Sequence, residues 1–258
     1  MSKNLYMEKI GQKSKAASLN LSKIDLKKRN SVLKLFSKYL KVNSRLILNS
    51  NKKDLSFAKS KKISDSMIER LKLNNKKIEQ IIESIKEITK FKDPLGKTLS
   101  SWKRPNGLVI KRISIPIGVI GIIYESRPNV TSDVSALCFK SGNSVILRGG
   151  SEAFHSNKII AKLFRKALKK QKCDENCVQF IENRNRKNVD FLLSNMKNYV
   201  DVVIPRGGKS LVKKVLQKST ISIIGHYEGL CHVYIDKEAD LKMAIKVVKN
   251  SKMRNVSI

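Results

Sequence analysis

Gly118-Val119-Ile120-Gly121-Ile122-Ile123-Tyr124 decides the class of fold. A run this short, with no polar side chain before its terminal tyrosine, fits a strand buried on both faces. Outward from it the texture repeats. Residues 144–147, 200–204, 221–224 and 231–235 read as further strands, and residues 130–140, 153–170, 209–218 and 239–252 as the helices between them. Short buried strands alternating with helices predict an α/β fold, a parallel sheet with helices on both faces.

Upstream, residues 6–91 are almost free of Gly and Pro. Ile78, Ile81, Ile82, Ile85 and Ile88 form one apolar stripe opposite Glu and Lys, too short for a coiled-coil seam, so it predicts helices packed on a domain. The pattern breaks at Asp93-Pro94-Leu95-Gly96. Beyond it, Asn106-Gly107 between two polar-apolar segments predicts a β-hairpin, with the positive φ of a tight turn at that dipeptide. The expected organisation is a helical part over 1–97, a protruding hairpin over 98–116 and an α/β core over 117–258.

Composition narrows the function classes. The 258 residues include 54 Lys+Arg against 21 Asp+Glu, a formal charge of +33. That balance invites a nucleic-acid reading, but each successive block of about fifty residues carries between +5 and +10. No basic run is interleaved with aromatics, which make up 6%, as a single-strand groove requires, so no nucleic-acid partner is expected. Cys138, Cys173, Cys177 and Cys231 do not make a disulfide framework in a chain this long, and Cys173 and Cys177, four apart, have no second pair and no histidine nearby at zinc spacing. The lysine-rich start has no apolar signal core and no apolar stretch reaches the roughly twenty residues that span a bilayer. The expectation is a cytoplasmic protein with no metal and no membrane partner.

In an open parallel sheet, ligands bind where strands end and turns lead into helices. Three turns qualify. In Tyr124-Glu125-Ser126-Arg127-Pro128-Asn129, Arg127 offers a fork for phosphate and Asn129 an amide for a developing oxyanion; equally, Pro128 starts a helix and Asn129 caps it. In Arg148-Gly149-Gly150-Ser151-Glu152, the arginine and glutamate suit a phosphate and a ribose hydroxyl, while Ser151 also reads as a helix cap. Pro205-Arg206-Gly207-Gly208-Lys209-Ser210 ends like a phosphate loop, but Val203 stands where its first glycine belongs. Cys231 and His232 are adjacent, so in a strand they face opposite ways and cannot act as thiolate and base.

Residues 115–131, 140–153, 204–208 and 231–236, four long motifs in order, resemble the gamma-glutamyl phosphate reductases, also called glutamate-5-semialdehyde dehydrogenases, of the aldehyde dehydrogenase superfamily. The resemblance implies an aldehyde-dehydrogenase-like cofactor domain and NADPH-dependent reduction of L-glutamyl 5-phosphate to glutamate 5-semialdehyde and phosphate, the second step of proline biosynthesis. It implies that Arg148, Ser151 and Glu152 meet the adenosine ribose and its 2′-phosphate, that Gly207 and Gly208 face the pyrophosphate, that Asn129 serves as oxyanion donor and that Arg127 binds substrate phosphate. It further implies self-association through the hairpin and handover of substrate from glutamate 5-kinase. In the family a cysteine nucleophile follows residues like Arg254-Asn255-Val256-Ser257-Ile258. None of the four cysteines holds that position, so the catalytic domain is expected to be absent and the chain alone inactive. A non-catalytic nucleotide-binding fragment, and a basic nucleic-acid binder, stand beside this reading as alternatives.

Overall fold

The computed structural model describes residues 4–225 and 231–253. Residues 1–225 form one compact unit and residues 226–258 a second.

Five helices open the first unit: α1 (Leu5–Leu21), α2 (Leu26–Val42), α3 (Ser44–Ser60), α4 (Asp65–Leu71) and α5 (Asn75–Lys90). Their starts follow the local chemistry, since Asn4, Asp25 and Asn74 accept hydrogen bonds from the backbone of Met7, Lys28 and Lys77. The isoleucine stripe of α5 is buried at all five positions.

The hairpin consists of β1 (Thr98–Lys103) and β2 (Val109–Ile113), antiparallel. Its turn is wider than the two-residue form expected. The Gly107 N–H reaches back to the Arg104 carbonyl across Pro105 and Asn106 at 2.9 Å, and only Gly107, at φ +87°, takes the left-handed conformation. Proline's fixed φ favours this longer loop, with the glycine after the turn.

The core is β3 (Val119–Tyr124), α6 (Pro128–Lys140), β4 (Ser144–Gly149), α7 (Phe154–Lys170), β5 (Val178–Phe180), α8 (Arg186–Asn195), β6 (Val202–Arg206) and α9 (Lys209–Lys218). The sheet runs in the order β5-β4-β3-β6, every pair parallel. Two expected strands did not form. Residues 221–224 contribute one bridge, Ile223 to Val203, and residues 231–235 are not strand, which removes the opposite-face argument for Cys231 and His232. Residues 221–224 meet β6 only at Val203, through Val203 N to the Ser222 carbonyl and Ile224 N to the Val203 carbonyl, and periodicity alone cannot reveal how far an apolar run is paired. Conversely, β5 is three residues long and α8 follows a polar loop, so neither announces itself by pattern.

The period of two divides the sheet into its faces. Ile120, Ile122, Tyr124, Val145 and Leu147 pack with α2, α5, α6 and α7; Val119, Ile123, Ile146 and Val203 pack with Met7 and Ile10 of α1, Leu192 and Leu193 of α8 and Val215 of α9. Polar clamps fix the layers. Asp201 accepts from Val119 N at 2.7 Å and pairs with Lys15 of α1 at 2.8 Å. Gly118, at φ +125°, leaves no room for a Cβ beside that carboxylate. Arg29 of α2, 2% exposed, donates to the Lys140 carbonyl and pairs with Asp93 at 2.7 Å, tying the helical part to the end of α6.

In the second unit, α10 (Leu241–Val248) begins at Asp240, which accepts from Met243 N at 3.1 Å, and gives way to a wider π-type turn over Lys249–Met253. Lys252 Nζ donates to the Cys231 carbonyl at 2.6 Å. The expected helix over 239–252 is thus α only in its middle. Residues 254–258, the segment compared with the approach to a nucleophile, lie outside the described residues.

Candidate functional site

β4 and β5 extend the sheet on one side of β3 and β6 on the other, so the direction of winding reverses between β3 and β6. A crevice opens at the carboxyl ends of strands at such a reversal. Here those ends are joined by a hydrogen bond from Glu125 N to the Arg206 carbonyl at 3.2 Å. A cavity of about 350 Å³ lies above it, lined by Glu125, Ser126 and Arg127 after β3, Arg206, Gly207 and Gly208 after β6, and Met67 and Arg70 of α4.

The structure brings Arg127, Gly207 and Gly208 together in that cavity. Gly208 is the N-cap of α9 and no side chain of its own caps the helix, leaving backbone donors and the positive helix end facing the crevice. Glu125 Oε2 accepts from Gly208 N at 2.9 Å. A Cβ on Gly207 would collide with that carboxylate and with Leu211, so glycine is what lets a group approach the backbone here. Burial, then the charges of Arg70 and Arg206, push the Arg127 guanidinium below its ordinary pKa.

Asn129 does not cap α6. Arg127 is the N-cap and Pro128 the first helical residue, while Asn129 Nδ2 donates to Asp133 Oδ2 at 3.1 Å. Asp133 also accepts from Ser84 Oγ at 3.4 Å, and burial raises its carboxyl above the ordinary value. The amide of Asn129 is therefore held from one side by α6 itself.

The turn after β4 is built differently. Arg148 is 6% exposed, and its guanidinium donates to the carbonyls of Gly149 and Arg184, the latter at 3.1 Å. Glu152 Oε1 accepts from Ser126 N at 2.7 Å and Ser126 Oγ at 2.8 Å, so it holds the β3–α6 turn, where Ser126 sits at φ +40°. Ser151 begins a short 3₁₀ turn and does not cap α7; that role falls to Asp54 of α3, whose carboxylate accepts from His155 N at 2.9 Å and Ser156 N at 2.7 Å. Beneath Gly149, Tyr124 OH, Thr131 and Asn157 form a buried chain of hydrogen bonds at 2.7 and 2.9 Å.

Sequence reasoning missed Arg70, Arg206 and Glu125. The last two flank residues already singled out, so their neighbours were the signal. Arg70 arrives from a helix more than fifty residues upstream, and nothing local marks it.

Burial pushes the Cys138 and Cys177 thiols up to about 12 and raises Cys173 as well, so none of these three is a ready thiolate. Among the described residues no group of His, Cys, Asp and Glu could hold a metal ion, and no helix is long and apolar enough to cross a membrane.

Comparison with known proteins fits this geometry. The chain is 47% identical over 254 residues to the gamma-glutamyl phosphate reductase of Hydrogenobaculum sp., covering 98% of this chain and 57% of the relative. Against that of a Nitratiruptor species it is 44% identical, covering 98% and 61%. The crystal structure of gamma-glutamyl phosphate reductase from Thermotoga maritima superposes with a TM-score of 0.89 at 38% identity, covering 95% of this chain and 59% of that one. The chain thus spans about three fifths of the length of these relatives. The profile of the aldehyde dehydrogenase family matches residues 3–256, and the chain belongs to that family.

Proposed function

We propose that the chain is the cofactor-binding part of an NADPH-dependent reductase that converts L-glutamyl 5-phosphate to glutamate 5-semialdehyde and phosphate, a step of proline biosynthesis. The observation that carries this reading is the crevice at the reversal of the sheet, with an open helix start and clustered arginines, in a chain 47% identical to a protein of that name.

The residues present fit a dinucleotide. Gly207 and Gly208 carry no side chain that would keep a pyrophosphate from the start of α9, where it would meet the helix end beside the Gly208 N–H that Glu125 engages. Ser151 and Glu152, partly exposed beyond β4, would meet the adenosine ribose on that side, with Arg148 holding their turn through the Gly149 and Arg184 carbonyls. When bound, the nicotinamide supplies hydride to the acyl carbon. Arg127 holds the substrate's phosphate, and the second amide proton of Asn129, the one not given to Asp133, is available to an oxyanion. The attacking thiolate comes from outside the buried set Cys138, Cys173 and Cys177.

The reading is tested by titrating the 258-residue chain with NADPH and with NADH, following nucleotide fluorescence. One NADPH site per chain, tighter than for NADH, is expected. A chain that is folded by circular dichroism yet binds neither nucleotide would overturn the proposal.

A further inference from the structure

We propose that Arg70, Arg127 and Arg206 form a phosphate-binding site in the crevice, with Arg70 of α4 as its third ligand. The site as an anion site rests on its own geometry; only its assignment to the substrate rests on the reductase reading above.

Three guanidiniums line one cavity with Ser126, Gly207 and Gly208. Elsewhere in the molecule the arginines that hold the fold spend their guanidiniums on other groups: Arg29 meets Asp93, Arg165 meets Glu175, and Arg148 meets the carbonyls of Gly149 and Arg184. Among the described residues none of Arg70, Arg127 and Arg206 has a carboxylate within 4.0 Å. Burial first, and then the charges of Arg70 and Arg206, disfavour the charged form of Arg127. Gathering three like charges about a single carboxylate is unfavourable unless a ligand supplies the rest of the opposite charge. Arg70 and Met67 stand three residues apart on α4, so one face of that helix turns both toward the cavity.

The one carboxylate in the lining, Glu125, is engaged by Gly208 N. Three cations and one anion leave a formal +2, which complements a phosphate group of about −1.5 to −2 at neutral pH. Guanidinium forks match phosphate oxygens in pairs. Two sources share this chemistry: the substrate's acyl phosphate with the orthophosphate it releases, and the dinucleotide's pyrophosphate.

Isothermal titration of the chain with orthophosphate, repeated on Arg70→Met, Arg70→Lys and, as a remote control, Arg104→Met of the hairpin loop, tests the site. Arg70→Met is expected to weaken orthophosphate at least tenfold, Arg70→Lys to recover part of the loss, and Arg104→Met to change nothing. No orthophosphate binding by the native chain, or equal binding by Arg70→Met, overturns the proposal. A second titration, with NADPH at saturating orthophosphate, separates the sources: unchanged NADPH affinity assigns the cavity to the substrate's phosphate, and mutual exclusion assigns it to the pyrophosphate. If no dinucleotide binds while orthophosphate binding still depends on Arg70, the reductase reading fails and the anion site stands.

Discussion

Arg148 lies opposite Ile123 on one side of β3, and Arg206 lies opposite Tyr124 on the other. Both end parallel strands, both precede glycines, and both sit in motifs of the same appearance. Arg148 is buried and spends its guanidinium on two backbone carbonyls, whereas Arg206 is exposed with no carboxylate in reach among the described residues. Their acidic neighbours diverge likewise. Glu152 holds a strained turn together, while Glu125 sits on an open helix start. On one side of the crevice the arginine is satisfied by the protein itself and on the other it is left open to a ligand, and the distinction lies in where each side chain finds its partners.

The largest expected effect that could break this contrast is on stability. Arg148→Met is expected to cost about 3 kcal/mol, from charge-assisted bonds worth about 1.5–3 kcal/mol each, whereas Arg206→Met stays within about 0.5 kcal/mol. Urea denaturation of both variants measures it; similar losses would erase the distinction. Next come the glycines. A Cβ on Gly149 would run into the buried Asn157 amide and stand 3.1 Å from Tyr124, so Gly149→Ala should cost about 2 kcal/mol. Nothing lies nearer to a Cβ on Gly208 than 3.9 Å, and Gly208→Ala should lose less than about 1 kcal/mol, the difference between glycine and alanine as an N-cap. Glu152→Gln should cost about 1 kcal/mol by weakening its hold on Ser126, while Glu125→Gln leaves stability unchanged and tightens orthophosphate by about threefold through loss of a facing negative charge.

The smallest effect is in pH. Burial raises the folded pKa of Asp133 above its ordinary 3.8, so the folded chain holds that proton more tightly than the unfolded one. The contribution is complete below pH 3.8 and is lost as pH rises through the folded value. Asp133→Asn, which does not ionise, should therefore gain on the native chain across that window and run parallel to it above. Urea midpoints at several pH values check this; a constant difference would show that the burial of Asp133 carries no such linkage.

The strands β3, β4 and β6, the helices α5, α6, α7 and α9 and the hairpin were legible because burial imposes a period, 2 or 3.6, on apolar residues, and turns demand particular residues. Ile221–Ile224 misled because a strand is completed by neighbours that a local run does not contain. That Arg127, Gly207 and Gly208 meet at one crevice was readable from their place between strand and helix. The division of labour between Arg148 and Arg206 was not, since it depends on Arg184 and on α4, residues brought in by tertiary packing. The buried Arg29 and the trans-capping Asp54 were hidden for the same reason: each charge finds its partners across a long interval of sequence.

Hydrogen exchange of the native chain with and without saturating NADPH tests the central claim that the receptive side of the crevice holds the cofactor. Slowed exchange is predicted over residues 125–130 and the first turn of α9, residues 208–212, with the hairpin at 98–113 unchanged. Protection confined to α7 or to the hairpin, or none at the start of α9, would contradict it.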